Sequence, residues 1–434
     1  MSDATLFPLP ETTTQARAGA VGGTPRYQRP DREQVLLQMV NLDNLLADDH
    51  RARAVWAFVE GLDLSELYAE IRAVEGGVGR APIDPKILLS LWVYATVEGI
   101  GSARALDKLC GEHEAFRWLC GGVGVNYHTL SDFRTAHEAV LDKLLTQSVA
   151  TLTAAGVVDL NRVAQDGVRV RASAGAGSFR REKTLKKCLE EAREQVQRLK
   201  RELEEDPAAT SRRQQAARER AACERQKRIE EALRQMPEMQ SKKAADKREE
   251  ARVSTTDPDA RVMKMPDGGF RPAVNVQFAG DTGSQVVTGV EVSNVGSDKG
   301  LMPPMIEQHV ERYGRLPNEV LVDGGFMKKE DIDGATQDGV TVYTPVQASK
   351  KDTRDPHEPR EDDSEAVAAW RRRMATAEAK EIYKERASTV ECINAAARNR
   401  GLQQFLVRGL HKVRCVALLF ALAHNFMRTV ALLS

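Results

Sequence analysis

The sequence predicts an α/β fold: an all-helical N-terminal part, then a mixed sheet interrupted by an inserted helical hairpin. Three observations predict it. Apolar residues recur at helical spacing from Val35 to about Ala155. After Gly156 the period changes to the alternation of a strand, and strand patterns return from Arg271 onward. Between the two strand regions, from Arg180 to about Val253, stands a highly charged stretch carrying a heptad seam.

The totals set outer bounds. A chain of 434 residues suffices for two or three domains. At 41% hydrophobic and 29% charged it can bury a core and stay soluble. Lys+Arg and Asp+Glu both total 63, so bulk charge argues neither for nor against nucleic acid. The charge is uneven, however. Arg371 to Arg428 carries twelve basic and four acidic residues, enough to hold phosphates or simply to solvate a helical surface. The six cysteines form no CxxC pair and no metal-like spacing with His. That argues against structural zinc or a disulfide framework and fits a reducing cytosol. Residues 1–34 are expected to be a flexible leader without an apolar signal core. The run CVALLFALA, 415–423, is soon broken by His424, Asn425 and Arg428, so it reads as a buried helix too short to span a bilayer.

Residues 35–156 form the expected helical N-terminal domain. A helix opens on Pro82, Asp84 and Pro85, and Leu88, Leu91, Trp92 and Ala95 follow at helical spacing. Gly99 and Gly101 break it, and a second helix opens at Ser102. A third begins in NYHTLSDFRTAHEAVLDKLL, where Thr129, Ser131 and Asp132 make a cap-rich start. Such a compact helical domain suits DNA binding as well as plain packing.

RVAQDGVRVRA, 162–172, then alternates as a strand. Val168 and Val170 share a face, and a regular strand puts Asp166 there too, unless Gly167 is a bulge. An ionised acid on an apolar face is costly unless it is paired or holds a metal. Residues 180–253 are the inserted hairpin. Leu185, Leu189, Ala192, Val196, Leu199 and Leu203 form the first seam, and Pro207 stops that helix. A second helix, about 210–235, carries Ala222, Ile229, Leu233 and Met236 and closes at Pro237. An antiparallel coiled-coil hairpin and an extended dimerisation arm both fit.

RPAVNVQFAGDTGSQVVTGVEVSN, 271–294, reads as a strand, a turn and a returning strand. A helix around 299–313, the strand EVLVDGG, a helix near 328–336 and the strand TVYTPV follow. A polar stretch at 347–376 leads to further helices. Residues 157–179 and 254–434 thus give three antiparallel strands, then parallel strands with helical crossovers. That is the ribonuclease-H-like order.

In that order the first and fourth strands are neighbours, so Asp166 and Asp323 converge. Two carboxylates in contact repel, and a divalent cation relieves them. Hard oxygen ligands suit Mg²⁺ or Mn²⁺. Two-metal phosphoryl transfer needs several carboxylates, and YKERASTVECINAAARNRG, 383–401, offers Glu391 as the third. Helical steps put Lys384, Ser388, Asn394 and Arg398 on its face, a set able to hold a metal and neighbouring phosphates. Taken singly, Asp323 also fits a turn-forming Asp-Gly, and Glu391 an ordinary surface helix.

At these residues the sequence resembles the DDE transposases of bacterial insertion sequences, specifically the IS1182-type group related to the IS4 and IS5 families. The resemblance runs from about Asn41 to Phe426. It rests on Pro82-Ile83-Asp84-Pro85, on Gly101 to Leu106, on His128 to Arg134, and on DPDARVMKMPDGGFRPAVNVQ, 257–277. It rests also on the three acids, in QDGVRVRA, VDGGF and VECIN. Tyr383, Arg386, Glu391 and Arg398 match the family's Tyr-Arg-Glu-Lys signature. Here Arg replaces Lys, and one extra residue separates Arg386 from Glu391.

The resemblance implies DNA transposition in a bacterial cytoplasm. Asp166, Asp323 and Glu391 would bind two Mg²⁺ ions, with Mn²⁺ able to substitute. Water would cut at the element's end, and the released 3′-hydroxyl would attack target DNA. The partners implied are double-stranded DNA, as terminal inverted repeats and target, and a second copy of the chain in a dimer or larger assembly. Lys384, Arg386 and Arg398 would neutralise phosphates, with Tyr383 and Asn394 beside the last acid. Arg104 and Arg134 are open between DNA contact and salt bridges. Phe326 is open between stacking on an unpaired base and a core role. A DNA-binding relative without catalysis, and a nuclease that cuts without joining, are the alternative readings.

Overall fold

The computed structural model describes residues 41–73, 81–205, 212–348 and 354–433; the expected leader, 1–34, and Pro207 lie outside these. Before the sheet come helices α1 (Arg51–Glu60), α2 (Ser65–Ala69), α3 (Pro85–Val97), α4 (Ala103–Glu112), α5 (Glu114–Cys120), α6 (Tyr127–Ala136) and α7 (Glu138–Ala154). Asp84 caps α3 by accepting from the Lys86 N–H at 2.8 Å, and Ser102 caps α4. The third expected helix starts elsewhere than at Thr129, Ser131 and Asp132. The Asn126 side chain takes the N–H groups of His128 and Thr129, at 3.0 and 3.1 Å, so the helix opens at Tyr127. His137 then divides it into α6 and α7.

The central strand is β1 (Arg162–Arg171). The short pair β2 (Phe179–Arg180) and β3 (Val253–Ser254) closes the base of the insertion, so α8 (Glu182–Glu205) and α9 (Arg212–Ser241) leave and return at one place. Cross-helix bonds from Gln240 to Glu182, Arg193 to Glu230 and Arg225 to Gln195 show that the two helices run antiparallel. Leu185, Ala192, Ile229 and Met236 are buried between them. The expected closure at Pro237 is corrected: α9 continues through it to Ser241. Proline removes one backbone donor, but Met236 and Met239 keep packing beyond the lost bond.

The sheet resumes with β4 (Arg261–Lys264), β5 (Phe270–Asp281) and β6 (Val287–Ser293). After α10 (Met302–Tyr313) come β7 (Glu319–Leu321), α11 (Lys329–Gln337) and β8 (Thr341–Tyr343). β5 runs antiparallel to β1 and to β6, and β4 pairs with the other end of β5. On β1's other side, β7 and then β8 run parallel. β7 is shorter than the expected EVLVDGG, so Asp323 stands two residues beyond its end. Helices α12 (Glu365–Ala375) and α13 (Ala377–Arg386), a π-helical turn (Ala387–Glu391), α14 (Cys392–Asn399) and α15 (Leu410–Leu433) complete the chain. Among the described residues α15 alone is long and apolar enough to cross a bilayer. Its middle, Ala417 to Phe426, is buried, and Phe420 meets Phe278 with ring centroids 5.2 Å apart. The N-terminal helices, the sheet and α15 share one apolar core.

Gly167 is not a bulge. It stays in register opposite Gln277, and the irregularity falls between Ala279 and Gly280 of β5. What Gly167 provides is room. A Cβ there would stand 2.3 Å from Gln277 Nε2, 2.6 Å from Asp298 Oδ1 and 2.7 Å from Asn275 Oδ1. Gly167→Ala is therefore expected to lower stability by about 1–3 kcal/mol in urea unfolding. An unchanged midpoint would contradict this close packing.

Candidate active site

Three elements bring the acids together. β1 carries Asp166, the loop after neighbouring β7 carries Asp323, and the α13–α14 junction carries Arg386, Glu391 and Asn394. Asn394 Nδ2 donates to Asp166 Oδ2 at 3.0 Å, and Arg386 Nη2 lies 3.3 Å from the same oxygen. The other arm of that guanidinium, Nη1, donates to Glu391 Oε1 at 3.1 Å. Arg386 thus bridges Asp166 and Glu391. The Asp323 side chain accepts from the Gly325 N–H at 2.7 Å, and its carbonyl accepts from Thr344 Oγ1 at 3.0 Å. Both bonds fix the turn that presents it.

The turn between Arg386 and Glu391 explains how the two meet. Side chains five apart diverge on an α-helix. The wider π-helical turn at Ala387–Glu391 returns the fifth residue to the same face.

The charges act on one another. Burial pushes the Asp166 carboxyl up to about 6; Arg386 opposes this, and Asp323 adds to it. Burial opposes the charge on Arg386, but Asp166, Tyr383, Asp323 and Glu391 together raise its pKa. Tyr383 is part-buried beside them, and burial raises its phenol, with Arg386 opposing and the three acids reinforcing. An acid with a raised folded pKa holds its proton more tightly when folded. Its contribution to stability is present below its ordinary 3.8 and lost as pH rises through about 6. Without divalent metal, Asp166 should therefore remove on the order of 2–3 kcal/mol as pH rises from about 4 to about 7. Urea unfolding of the wild type against Asp166→Asn checks it, since only the wild type should show this extra slope.

The donor set suits a hard divalent cation. Asp166, Asp323 and Glu391 offer carboxylate oxygens, and Asn394 Oδ1 is buried beside them without a hydrogen-bond partner. A different group, Glu138, His411 and Cys415, has its ligand atoms within 4.8 Å of one another. It is weaker as a metal site, because Glu138 already pairs with His411 and Arg414 and burial raises the Cys415 thiol to about 11.

The other anticipated residues divide. Lys384 is exposed and pairs with Glu381 on its own helix at 2.6 Å, so it does not reach the acids. Ser388 is exposed, and its carbonyl accepts from Gln285. The π-helical turn breaks the single helical face on which both were expected. Arg398 lines a shallow cleft with Arg169, Arg171 and Arg271. Arg104 lies over the Tyr127 ring, 5.3 Å from its centroid. Arg134 is buried, donates to the Gly101 carbonyl and has no salt bridge to an acid among the described residues. Phe326 is 1% exposed and packed in the core, so a stacking role for it is corrected: no ring face is open to a base.

Asp298 was not anticipated. It sits in the loop after β6 and accepts from Asn275 Nδ2 at 2.7 Å and Gln277 Nε2 at 2.8 Å, immediately behind Gly167. The available signal was the pair Asn275 and Gln277, which are both fully buried although a one-sided strand would expose them.

Residues 40–136 match the family described as Transposase domain (DUF772), and residues 347–430 match the family described as Transposase DDE domain. The first segment holds Arg104 and Arg134, and the second holds Arg386 and Glu391; Asp166 and Asp323 lie between the two. No curated protein and no solved structure matches the chain. The pairing of these two domains is the signature of IS1182-type transposases, and the function these two matches support is that of a DNA transposase.

Proposed function

We propose that Asp166, Asp323 and Glu391 hold two divalent cations, Mg²⁺ or Mn²⁺, for cleavage of the element's ends and joining to target DNA. The single observation that carries this reading is that Arg386 bridges Asp166 and Glu391 while Asp323, on the loop beside them, acts electrostatically on both Arg386 and Asp166. The strand order, with β5 and β6 antiparallel on one side of β1 and β7 and β8 parallel on the other, supports a ribonuclease-H-like sheet. It makes the strand bearing Asp166 the neighbour of the strand leading to Asp323.

Ions bound there would supply activation of water and stabilisation of the leaving oxygen. The chain's own residues do the rest. Asn394 holds the Asp166 carboxylate in place through its amide. Arg386, which pairs with Asp166 and Glu391 in the free protein, is positioned to neutralise a scissile phosphate once cations share that task. Arg171 and Arg398, exposed in one cleft, supply charge for the flanking DNA backbone. The antiparallel hairpin of α8 and α9 is a coiled-coil arm able to bridge two copies of the chain across paired DNA ends.

A strand-transfer assay on end DNA with Mg²⁺ tests the reading. The expected result is nicking followed by joined product, both lost on chelation. Nicking without any joined product would leave a nuclease, and neither would leave a DNA-binding relative. The hairpin has its own test: deletion of residues 182–250 should reduce the DNA-bound assembly to fewer copies in mass measurement. An unchanged assembly would remove the bridging role.

A further inference from the structure

A cavity of about 390 Å³ lies between the N-terminal helices and the loop after α14. Its walls are largely apolar and include Trp92, Leu402, Leu419 and Phe420, yet two arginines, Arg134 and Arg400, line it as well. Arg134 is only 6% exposed. It donates to the Gly101 carbonyl and stacks 4.6 Å from the Trp92 centroid, while its Nε has no partner. Arg400 is part-buried, and its Nη1 is buried without a partner. Among the described residues neither forms a salt bridge with a carboxylate.

Arg261 and Arg373 are likewise part-buried without a salt bridge among the described residues, but other inward-facing arginines are paired. Buried Arg312 has Asp142, Arg386 has Asp166 and Glu391, and Arg414 has Glu138, Asp142 and Glu291. A desolvated guanidinium without a counter-charge is unfavourable, and two on one cavity leave a demand for an anion. Burial lowers the pKa of both, Arg134 to about 10, and Arg51 adds repulsion at Arg400. Beside the cavity two backbone segments pack closely. Gly99 and Gly401 both adopt positive φ, +73° and +84°, and a Cβ at Gly401 would stand 3.1 Å from the Gly99 carbonyl oxygen.

We propose that this cavity binds a nucleotide, with the apolar walls taking the base and Arg134 and Arg400 neutralising its phosphate. Its volume falls within the usual range of ligand sites. A groove whose basic residues, Arg104, Lys227, Arg228, Arg408 and Lys412, outnumber its acids, Asp132, Glu224, Glu231 and Asp257, shares Arg134 and Leu406 with the cavity. A DNA strand lying in that groove could deliver an unpaired nucleotide directly, and a free nucleotide has the same chemistry. The inference rests on DNA being the substrate and not on the metal site.

Titration calorimetry on the full chain tests it, with three probes: a nucleoside 5′-monophosphate, inorganic phosphate, and a duplex ending in unpaired nucleotides. The expected result is saturable binding of the monophosphate, tighter than phosphate alone, and weakened about tenfold or more by Arg400→Gln. Arg134→Lys serves as a second variant, and thermal unfolding of both checks that they fold. Displacement of the monophosphate by the tailed duplex would identify a DNA nucleotide as the occupant, and its persistence would identify a free one. The proposal is overturned by no saturable binding of the monophosphate, by binding that Arg400→Gln leaves unchanged, or by phosphate binding as tightly as the nucleotide. Mg²⁺-dependent nicking measured on the same samples reports on the three acids separately.

Discussion

Asp323→Asn should abolish DNA strand cleavage, with a loss of roughly a thousandfold or more. Substitution keeps the size of the side chain and its hydrogen bond from the Gly325 N–H. It removes a negative charge from a site where Asp323 and Asp166 act on each other. Losing several kcal/mol of cation-dependent stabilisation corresponds to such a factor. The fold should survive. Asp166 would lose a repulsive neighbour, so the metal-free variant should be as stable as the wild type or slightly more so. Cleavage of end DNA by purified variants, with unfolding curves alongside, checks both halves. Full cleavage by Asp323→Asn would remove this residue from the metal site.

Arg386→Ala should have two linked effects. Arg386 is nearly buried and bridges Asp166 and Glu391. Removing it leaves the buried Asp166 carboxylate uncompensated, at an expected loss of about 3 kcal/mol near pH 7. Arg386 lowers the Asp166 pKa, so without it that pKa rises further above about 6, and the loss should shrink as pH falls toward about 6 and be small below it. Mg²⁺ should also restore stability, because a cation replaces the missing charge. Cleavage should still fall by roughly a hundredfold or more, since one donor to a developing phosphate charge is gone. Arg386→Lys should fall between the two, because an ammonium keeps the charge but cannot fork between two carboxylates. A stability loss independent of both pH and Mg²⁺ would show that Arg386 serves packing alone.

What could be read from the sequence follows from how local each signal is. The alternation in 162–172 located β1, and the changes of period located the insertion and the returning strands. The place of Asp166 and Asp323 followed from strand order, because a parallel neighbour brings the loop after β7 to β1. Other features depend on distant partners. Asn126 rather than Thr129 caps α6, because several nearby residues can cap and only geometry selects one. The long stretch behind α9 overrides Pro237, since packing outweighs a single lost bond. Lys384 leaves the face of Glu391 because the π-helical turn between them shifts the register that a straight α-helix keeps. Asp298 reaches Gly167 from a loop more than a hundred residues away, and only the polar pair Asn275 and Gln277 on β5 hints at it. Phe326 and Arg134 are both buried by packing that no neighbouring residue announces.

The central claim is that the three acids hold the metal. Anomalous diffraction from crystals grown with Mn²⁺ and end DNA tests it most directly. The expected result is anomalous density within ligand distance of Asp166, Asp323 and Glu391, lost in Asp166→Asn and Asp323→Asn. Mn²⁺ elsewhere, or density at the acids that survives both substitutions, would contradict it.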